Sequence, residues 1–249
     1  MKRGIVLGVT ASLVLAGTAR AQDDEATTLA DWLSGNVAVT SDYTFRGISQ
    51  TLEEPALQGG FDLEHPTGLY LGFWGSSINF GESDLGAGGR AQAEMDVYGG
   101  FGFSAAELFD VDLGAIYYGY PGASDRNYDF VEFGLGASRG FPMFEGGVSV
   151  AYSPDYFAES GESWYYGLDL GIPISLLTLS GSVGHQTIED NAVFGTPDYT
   201  NWTLGVGVGL AGFDLSGQYV DTDIEDEECF AGGSELCGGR AIFSISRSM

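Results

Sequence analysis

Residues 91–119 read AQAEMDVYGGFGFSAAELFDVDLGAIYYG, and they contain two runs in which apolar and polar side chains alternate. In the first run Met95 and Val97 alternate with Glu94 and Asp96, and the second run repeats this period of two around Leu113. Such alternation is typical of a β-strand with one apolar and one polar face. The few residues between the runs indicate a tight turn. The stretch therefore predicts two neighbouring strands of an antiparallel sheet.

The same pattern continues from residue 36 to the C-terminus and predicts about twelve strands. The predicted strands are Asn36–Arg46, Ala56–Glu64, Gly68–Phe80, Ala91–Phe103, Asp110–Tyr118, Val131–Ser138, Gly147–Tyr152, Trp164–Ile172, Leu177–Val183, Trp202–Leu210, Phe213–Tyr219 and a last strand that begins at Arg240. In the first of them, Asp42 and Arg46 continue the polar face. Aromatic residues near strand ends are expected to form interfacial girdles, and these are Tyr43, Phe45, Trp164, Tyr199 and Trp202.

The connections between the predicted strands alternate in length. Short ones fall at residues 65–67, 104–109, 140–145, 173–176 and 211–212, and longer ones at 47–55, 81–89, 121–127, 153–163, 189–198 and 221–239. Outer-membrane barrels have this asymmetry, with tight periplasmic turns and longer outward loops. We therefore predict an all-β fold, a transmembrane antiparallel up-and-down β-barrel. A soluble antiparallel sandwich, whose strands alternate in the same way, is the alternative.

The N-terminus has the pattern of a secretory signal peptide. Lys2 and Arg3 precede an apolar run over residues 4–17, and Ala19-Arg20-Ala21 forms a cleavage site. We expect residues 1–21 to be a cleaved signal peptide, 22–35 a short periplasmic segment and 36–249 the barrel. This organisation predicts export through the Sec pathway to the outer membrane of a Gram-negative bacterium.

The charge balance limits the classes of partner. The sequence has 35 acidic and 9 basic residues, and the predicted signal peptide removes Lys2, Arg3 and Arg20. Six basic residues then remain, for a formal net charge of −29. A basic nucleic-acid footprint is absent, so we expect no nucleic-acid partner. The expected partners are outer-membrane lipid and small hydrophilic solutes, and homo-oligomerisation is left open.

Cys229 and Cys237 lie together in an acidic segment of an exported chain, which favours a disulfide. Closing so short a loop contributes ~2–3 kcal/mol in the chain-entropy model. A metal-binding pair is the alternative, but no histidine lies nearby and the C-x2-C spacing is absent. The acidic run at residues 221–228 lacks the calcium-loop pattern, so solvated charge is favoured over Ca²⁺ binding. We predict no metal site and no cofactor.

The polar parity of the predicted strands is strongly acidic, with Arg46 as its clearest cation. The predicted pore-lining residues are Asp42, Arg46, Asp62, Glu64, Glu94, Asp96, Asp110, Asp112, Glu132, Asp169 and Asp214. Carboxylates that line a lumen lower the energy of cations and raise that of anions. The hypothesis is a cation-preferring pore, and ordinary hydrated lining is the alternative. Twelve strands predict a pore that is narrow or occluded by loops.

An enzymatic function would have to use one of two histidines. His65 lies in a predicted tight turn, and His185 lies on an apolar parity with Ser182 and Thr187 close in sequence. A barrel phospholipase would need a nucleophile paired with His185, and no nucleophile motif is present. We therefore predict that the protein is not an enzyme.

The motif FRGISQT at residues 45–51, followed by PALQGGFD at 55–62, resembles the opening signature of the TorF family of porins, grouped under the Gcw domain name. Further similar segments are GFWGS at 72–76, YGYPG at 118–122, YSPDY at 152–156, YVDT at 219–222 and the late cysteine pair. The resemblance implies an outer-membrane barrel with a pore role and names no solute. We predict a porin for passive diffusion of small, cationic, hydrophilic solutes. The alternative is a non-conducting structural or adhesive barrel whose acidic outer loops bind a partner or divalent cations.

Overall fold

The computed structural model describes residues 29–81, 91–106, 108–123, 127–230 and 235–249. The predicted signal peptide and residues 22–28 lie outside the described residues. A 3-10 helical turn, Leu29–Trp32, leads directly into the first strand, which begins inside the predicted periplasmic segment. None of the helices in the described ranges is long and apolar enough to cross a membrane.

Within the described residues, the chain forms a closed antiparallel barrel of twelve strands and a separate two-stranded hairpin. The strands are β1 (Leu33–Thr40), β2 (Thr44–Phe45), β3 (Ile48–Ser49), β4 (Ala56–Glu64), β5 (Leu69–Ser77), β6 (Ala93–Ala105), β7 (Phe109–Gly119), β8 (Phe130–Gly140), β9 (Glu145–Ser153), β10 (Ser163–Ile174), β11 (Leu177–Ile188), β12 (Tyr199–Leu210), β13 (Phe213–Thr222) and β14 (Arg240–Ser248). β2 and β3 form the hairpin, and the others form the barrel. A short helix, α1 (Asn191–Phe194), lies in a loop. The predicted fold class is confirmed.

The barrel closes because β1 pairs with both β4 and β14. Val39 is opposite Leu57 of β4 on one side and Ile245 of β14 on the other. Closure leaves the sheet without an edge. A sheet that spans a bilayer needs this, since lipid offers no partner for a free backbone N–H or C=O group.

The two faces of the barrel wall differ in polarity. On β4, Leu57 and Phe61 are each 60% exposed, whereas Gln58 between them is only 5% exposed. The other barrel strands repeat this alternation, with apolar side chains on the outside and polar side chains in the lumen. A continuous apolar outer surface of this kind is typical of a barrel that faces lipid.

The connections differ in length at the two ends of the barrel, as predicted. Short connections join β4 to β5, β6 to β7, β8 to β9, β10 to β11 and β12 to β13 at what we call the short-turn end. Longer connections join β1 to β4, β5 to β6, β7 to β8, β9 to β10, β11 to β12 and β13 to β14 at what we call the long-loop end. Since the strand number is even, β1 begins and β14 ends at the short-turn end.

The predicted first strand, Asn36–Arg46, is wrong at its C-terminal end, because β1 stops at Thr40. Beyond it, the Asp42 carboxylate accepts hydrogen bonds from the hydroxyls of Ser49 and Thr51. These bonds turn the chain back on itself, so the rest of the predicted strand enters the lumen. Asp42 therefore lies inside the barrel but on a folded loop and not on the wall.

The predicted aromatic girdle is wrong for three of its residues, one of which, Phe45, lies on the loop that enters the lumen and packs against buried residues there. Tyr43 is 2% exposed and Tyr199 is 1% exposed, and both face the lumen, where a girdle residue would face lipid. Trp164, in contrast, is 39% exposed on the outer surface and contacts Tyr152 with a centroid distance of 4.6 Å. Aromatic residues near strand ends thus serve two purposes in this barrel, and position along the chain does not distinguish them.

Candidate functional site

Residues 41–55, here called the strap, follow β1 and fold into the lumen at the long-loop end. Its two short strands are joined by Arg46 and Gly47, whose φ angles are 48° and 89°. A two-residue hairpin turn with both φ angles positive is of type I′, which prefers asparagine and glycine. A left-handed conformation at a residue with a Cβ atom costs roughly 1–2 kcal/mol. Contacts of the Arg46 side chain must offset this cost.

The base of the strap is held by Asp42. Its Oδ1 accepts hydrogen bonds from the hydroxyls of Ser49 and Thr51, each at 2.7 Å. Its Oδ2 lies 3.3 Å from Nη1 of Arg240, which is also 3.3 Å from Oε1 of Glu53. Because Asp42 lies on the first arm of the strap and its partners lie on the second arm and on β14, it fixes how the strap leaves the wall.

The tip of the strap reaches across the lumen through Arg46. Its Nη1 and Nη2 atoms donate to the two carboxylate oxygens of Glu132 on β8, each at 2.8 Å. Nη1 also donates to Oε1 of Gln186 on β11 at 2.6 Å. Arg46 is 6% exposed and Glu132 is 0% exposed. Since β8 and β11 lie on the far side of the barrel from β1, the strap spans the lumen.

Two aromatic rings flank the Arg46 guanidinium. Its central carbon lies 4.1 Å from the centroid of the Tyr165 ring and 4.8 Å from that of Phe45. Burial alone lowers the pKa of Arg46, but the negative charge of Glu132 raises it, and the net pKa lies above the ordinary arginine value. Cation–π attraction adds to the stability of the charged form. The tip therefore carries a permanent positive charge.

Gly47, next to Arg46, is packed against β12 and β13 of the wall. A Cβ atom at this position would lie 2.5 Å from Cγ2 of Thr222 and 3.0 Å from Cβ of Asn201. Together with the positive φ angle, these close approaches require glycine. The Arg-Gly pair within the FRGISQT motif thus has a structural reason. The Arg46 side chain reaches β8 and β11, and Gly47 allows the backbone to approach β12 and β13 closely.

A second contact between strap and wall joins Tyr43 to β6. The Tyr43 hydroxyl donates to Oε1 of Glu94 at 2.7 Å, and its ring packs edge-on against Trp74 with a centroid distance of 5.4 Å. Burial, followed by the charge of Glu94, raises the pKa of the Tyr43 hydroxyl, so it stays a donor. Asp96 lies two residues further along the same face and is 2% exposed.

Aromatic side chains from five of the long loops form a cluster above the strap, here called the aromatic lid. Its members are Phe80, Tyr120, Tyr128, Tyr156, Phe157, Phe194 and Phe230. Contacts run through the whole set; for example, ring centroids are 4.4 Å apart for Tyr128 and Phe157 and 6.2 Å apart for Phe194 and Phe230. Phe45 of the strap packs against the same cluster. Strap and lid together fill the lumen at the long-loop end.

The predicted disulfide between Cys229 and Cys237 is confirmed. Both cysteines are 0% exposed and belong to a small core with Ile48 of the strap. The Thr222 hydroxyl donates to the carbonyl oxygen of Cys237 at 2.7 Å, which ties this loop to the end of β13. The disulfide loop therefore supports the strap from the side of the lid.

The predicted pore-lining residues lie at two levels of the lumen. Around the strap, the structure brings together the buried residues Asp42, Arg46, Glu94, Asp96 and Glu132. Towards the middle and the short-turn end lie the less buried residues Asp62, Glu64, Asp110, Asp112, Asp169 and Asp214. In this second group, Asp62 accepts a hydrogen bond from the Tyr98 hydroxyl, and Asp112 accepts one from Tyr70 at 2.9 Å.

A small polar cavity remains beside the strap. It has a volume of about 10 Å³ and is lined by Thr40, Asp42, Tyr43, Thr44, Gln58, Gln218 and Ser244. A cavity of this size holds about one water molecule. The strap thus leaves room for a water molecule at its base.

The structure separates the residues that an enzymatic site would need. His185 is exposed on the outer surface, with Nδ1 3.2 Å from the Thr200 hydroxyl. Ser182 has the opposite parity on the same strand and faces the lumen. His65 binds the Thr67 side chain in a tight turn. Among the described residues, no three metal-ligating side chains lie close enough together to hold a metal ion.

Sequence reasoning missed the wall residues that surround Arg46. Tyr118, Tyr165 and Gln186 complete this pocket, and all three lie on the inward parity of their strands. The sequence signal that could have indicated them is that Arg46 is one of few inward-facing cations. A buried arginine requires a carboxylate and further hydrogen-bond acceptors, so inward-facing polar residues of the wall are the candidates for its partners. The alternation shows which side chains face the lumen but not which of them meet across it.

Solved structures with the same architecture include porins. The KdgM porin is 5% identical in sequence, with a TM-score of 0.58, and the match covers 87% of this chain and 99% of KdgM. The NanC porin is 9% identical, with a TM-score of 0.54 and coverage of 86% and 97%. The Salmonella typhi outer membrane phospholipase OMPLA, solved as a dimer with bound calcium, is 10% identical, with a TM-score of 0.52 and coverage of 93% and 94%. This likeness shows the fold, and it defines the protein as a porin-like β-barrel.

Within that class, the family is shown by sequence. Residues 24–249 match the family described as "Bacterial protein of unknown function (Gcw_chp)", and the chain belongs to this family. The matched range includes both the barrel and the strap. The resemblance to the Gcw group is therefore confirmed. None of the curated proteins matches this sequence.

Proposed function

We propose that the protein is an outer-membrane porin of the TorF type, through which small, cationic, hydrophilic solutes diffuse passively. The fold shared with KdgM and NanC supports the channel class. KdgM has also been solved in complex with disordered oligogalacturonate, which makes an extended polar solute a precedent for this architecture. The long loops would face the cell exterior, as in other outer-membrane barrels, after export through the Sec pathway.

The observation that carries the proposed selectivity is the imbalance of charge in the lumen. Among the described residues, the inward-facing arginines are Arg46 and Arg240, and both are already paired with carboxylates. Asp62, Asp112 and Asp169 have no such cationic partner among the described residues. Carboxylates in a concave, low-dielectric lumen concentrate cations and repel anions. A cation that enters from the short-turn end therefore meets a favourable potential.

The strap and the lid define the closed state of this channel. The strap crosses the lumen from Asp42 at its base to Glu132 on β8, so passage of a solute at this level requires the strap to move away from Glu132. Backbone–backbone hydrogen bonds join the strap to the rest of the described chain at Ser41, with Phe243, and at Gln50, with the Asn79 amide. Neither bond belongs to the ladder between two barrel strands, so the strap is able to move without breaking the barrel sheet. Gating would thus take place at the long-loop end.

The test is the reversal potential of the purified protein in a planar bilayer under a salt gradient. We expect cation preference, reduced in the combined variant Asp62→Asn, Asp112→Asn and Asp169→Asn, because the lumen loses three of its carboxylates. The control is Glu227→Gln, which removes a carboxylate from an exposed outer loop and leaves the lumen unchanged. Anion preference in the unmodified protein would contradict the proposal.

One observation favours a second candidate, a non-conducting structural or adhesive barrel whose acidic outer loops bind a partner or divalent cations. The filled long-loop end is what such a barrel requires. A variant that cannot latch the strap, Arg46→Ala, separates the two. If this variant folds and shows no single-channel steps at any voltage, the non-conducting barrel is the correct function.

A further inference from the structure

The Arg46 guanidinium is held in the way that a binding site holds a ligand. It receives a bidentate carboxylate, a side-chain amide oxygen and the face of a tyrosine ring. Bidentate pairing with a carboxylate is a specific property of guanidinium groups. These contacts involve the two Nη atoms and one face of the guanidinium, whereas its buried Nε atom has no hydrogen-bond partner.

Three of the groups that hold Arg46 belong to the barrel wall, and Tyr156 of the aromatic lid interacts with it as well. Glu132 lies on β8, Tyr165 on β10 and Gln186 on β11. The pocket is therefore complete without the strap, which supplies its occupant.

The wall residues are also fixed by their own hydrogen bonds. The Gln186 amide nitrogen lies 3.2 Å from the carbonyl oxygen of Thr187, which directs its oxygen towards the guanidinium. The Tyr118 hydroxyl donates to Glu132 at 3.1 Å, and the Tyr165 hydroxyl donates to Asn201 at 3.3 Å. A pocket that is preorganised in this way loses little entropy on binding.

We propose that this pocket, formed by Glu132, Gln186, Tyr165 and Tyr118, is a guanidinium-binding site of the solute path. Arg46 is its internal ligand, and a solute that carries a guanidinium group displaces it and releases the strap. This inference rests on the proposed channel function and names the solute class, a small molecule or peptide with an arginine-like head group.

Two features of the structure favour replacement of Arg46 by a solute guanidinium over departure of Arg46 from an empty pocket. Departure of Arg46 without a replacement would leave the buried Glu132 carboxylate without a cation, which is strongly unfavourable. An incoming guanidinium removes this penalty. Arg46 itself adopts a left-handed conformation, with φ 48°, that weakens it as an internal ligand.

The same geometry predicts discrimination between guanidinium and ammonium. A guanidinium matches both oxygens of Glu132 and stacks on Tyr165, whereas an ammonium is a point charge that does neither as well. Tethering places Arg46 at an effective concentration in the millimolar range, so free solute has to compete at that level.

The first test measures binding to the detergent-solubilised Arg46→Ala protein, with methylguanidinium as the probe. We expect methylguanidinium to bind roughly tenfold more tightly than methylammonium and to raise the melting temperature. The double variant Arg46→Ala with Glu132→Gln should lose this binding. The matched control is Arg139→Ala, whose guanidinium lies over the Phe141 ring at the short-turn end; it should gain no site. Equal binding of the two probes, or none, would overturn the inference.

If Arg46→Ala does not fold, Arg46→Lys keeps a positive charge at the tip without the bidentate fork. Methylguanidinium should then compete more readily than in the unmodified protein, and the absence of binding would also overturn the inference. Binding is measured without conduction, so the two proposals fail separately. Guanidinium binding without channel activity would support the binding site and contradict the porin function. Cation-selective conduction without guanidinium binding would support the porin function and contradict the binding site.

Discussion

At the scale of single residues, the strap depends on an unusual turn. A type I′ turn is normally occupied by Asn-Gly, and an arginine at its first position is unfavourable by roughly 1–2 kcal/mol. Arg46 offsets this through charge-assisted hydrogen bonds to Glu132, each worth on the order of 1.5–3 kcal/mol. The turn is therefore stable only when its side chain reaches the far wall, and the closed state and the local backbone conformation form together.

The first residue-scale prediction concerns Gly47. In Gly47→Ala, the new Cβ would lie 2.5 Å from Cγ2 of Thr222, and the φ angle of 89° would be strained. We expect the strap to be destabilised by about 1–3 kcal/mol and the channel to open more often. The measurements are thermal unfolding and single-channel recording.

The matched control for this variant is Gly212→Ala. Gly212 has a similar φ angle of 83°, but nothing lies within 4 Å of its Cβ position at the short-turn end. Gly212→Ala should lower stability only through the strained φ angle, and the fraction of time that the channel is open should not change. If both variants open the channel equally, the contact with Thr222 does not hold the strap.

The sequence could not show where β1 ends, and the reason is local. Thr40, Asp42, Thr44 and Arg46 continue the polar parity of the strand without interruption. The chain leaves the wall because the Asp42 carboxylate binds Ser49 and Thr51, whose hydroxyls come from further along the chain. Alternation records which side chains avoid lipid, and it is the same for a wall strand and for a loop folded inside the barrel.

At the scale of elements, the disulfide loop supports the strap through Ile48. Ile48 is 2% exposed and shares a core with both cysteines. In the double variant Cys229→Ser and Cys237→Ser, the loop should lose ~2–3 kcal/mol of local stability in the chain-entropy model. We expect amide hydrogen exchange of Thr44–Ser49 to become faster, measured by mass spectrometry on the refolded barrel.

The control for this experiment lies within the same molecule. Amides of the barrel strands far from the loop, such as those of β9, should exchange at unchanged rates, because their hydrogen bonds do not involve residues 223–239. Unchanged exchange in the strap would show that Arg46 and Asp42 hold it without the disulfide. Faster exchange throughout the barrel would point to a global loss of stability.

The elements themselves were largely predictable from the sequence. All twelve wall strands were predicted, and β4 has the predicted bounds, Ala56–Glu64. Period-two alternation is strong because lipid on one side and a polar lumen on the other act on every residue. The loops carry no comparable pattern, since their aromatic residues pack against one another in the lid. Sequence reasoning therefore placed the long loops at one end without showing that they fill it.

At the scale of the whole molecule, the lumen is asymmetric. The long-loop end is filled by the strap and the lid, whereas glycines such as Gly136 and small residues such as Ser180 line the inner wall further down. A permeant molecule should therefore reach the middle of the lumen from the short-turn end only. A cation that enters from the short-turn end therefore meets the less buried carboxylates first, because they lie on that side of the strap.

This asymmetry predicts the labelling of a single introduced thiol. In Ser180→Cys, the new thiol faces the lumen below the strap, and the two native cysteines are bonded to each other. A small membrane-impermeant thiol reagent should label it from the short-turn side of oriented vesicles and not from the long-loop side. Adding Arg46→Ala should permit labelling from both sides, because the tip of the strap loses its hold on Glu132. Gly212→Cys and Glu227→Cys report the sidedness of the vesicles, and labelling of Ser180→Cys from the long-loop side with Arg46 intact would show that the strap does not close the lumen.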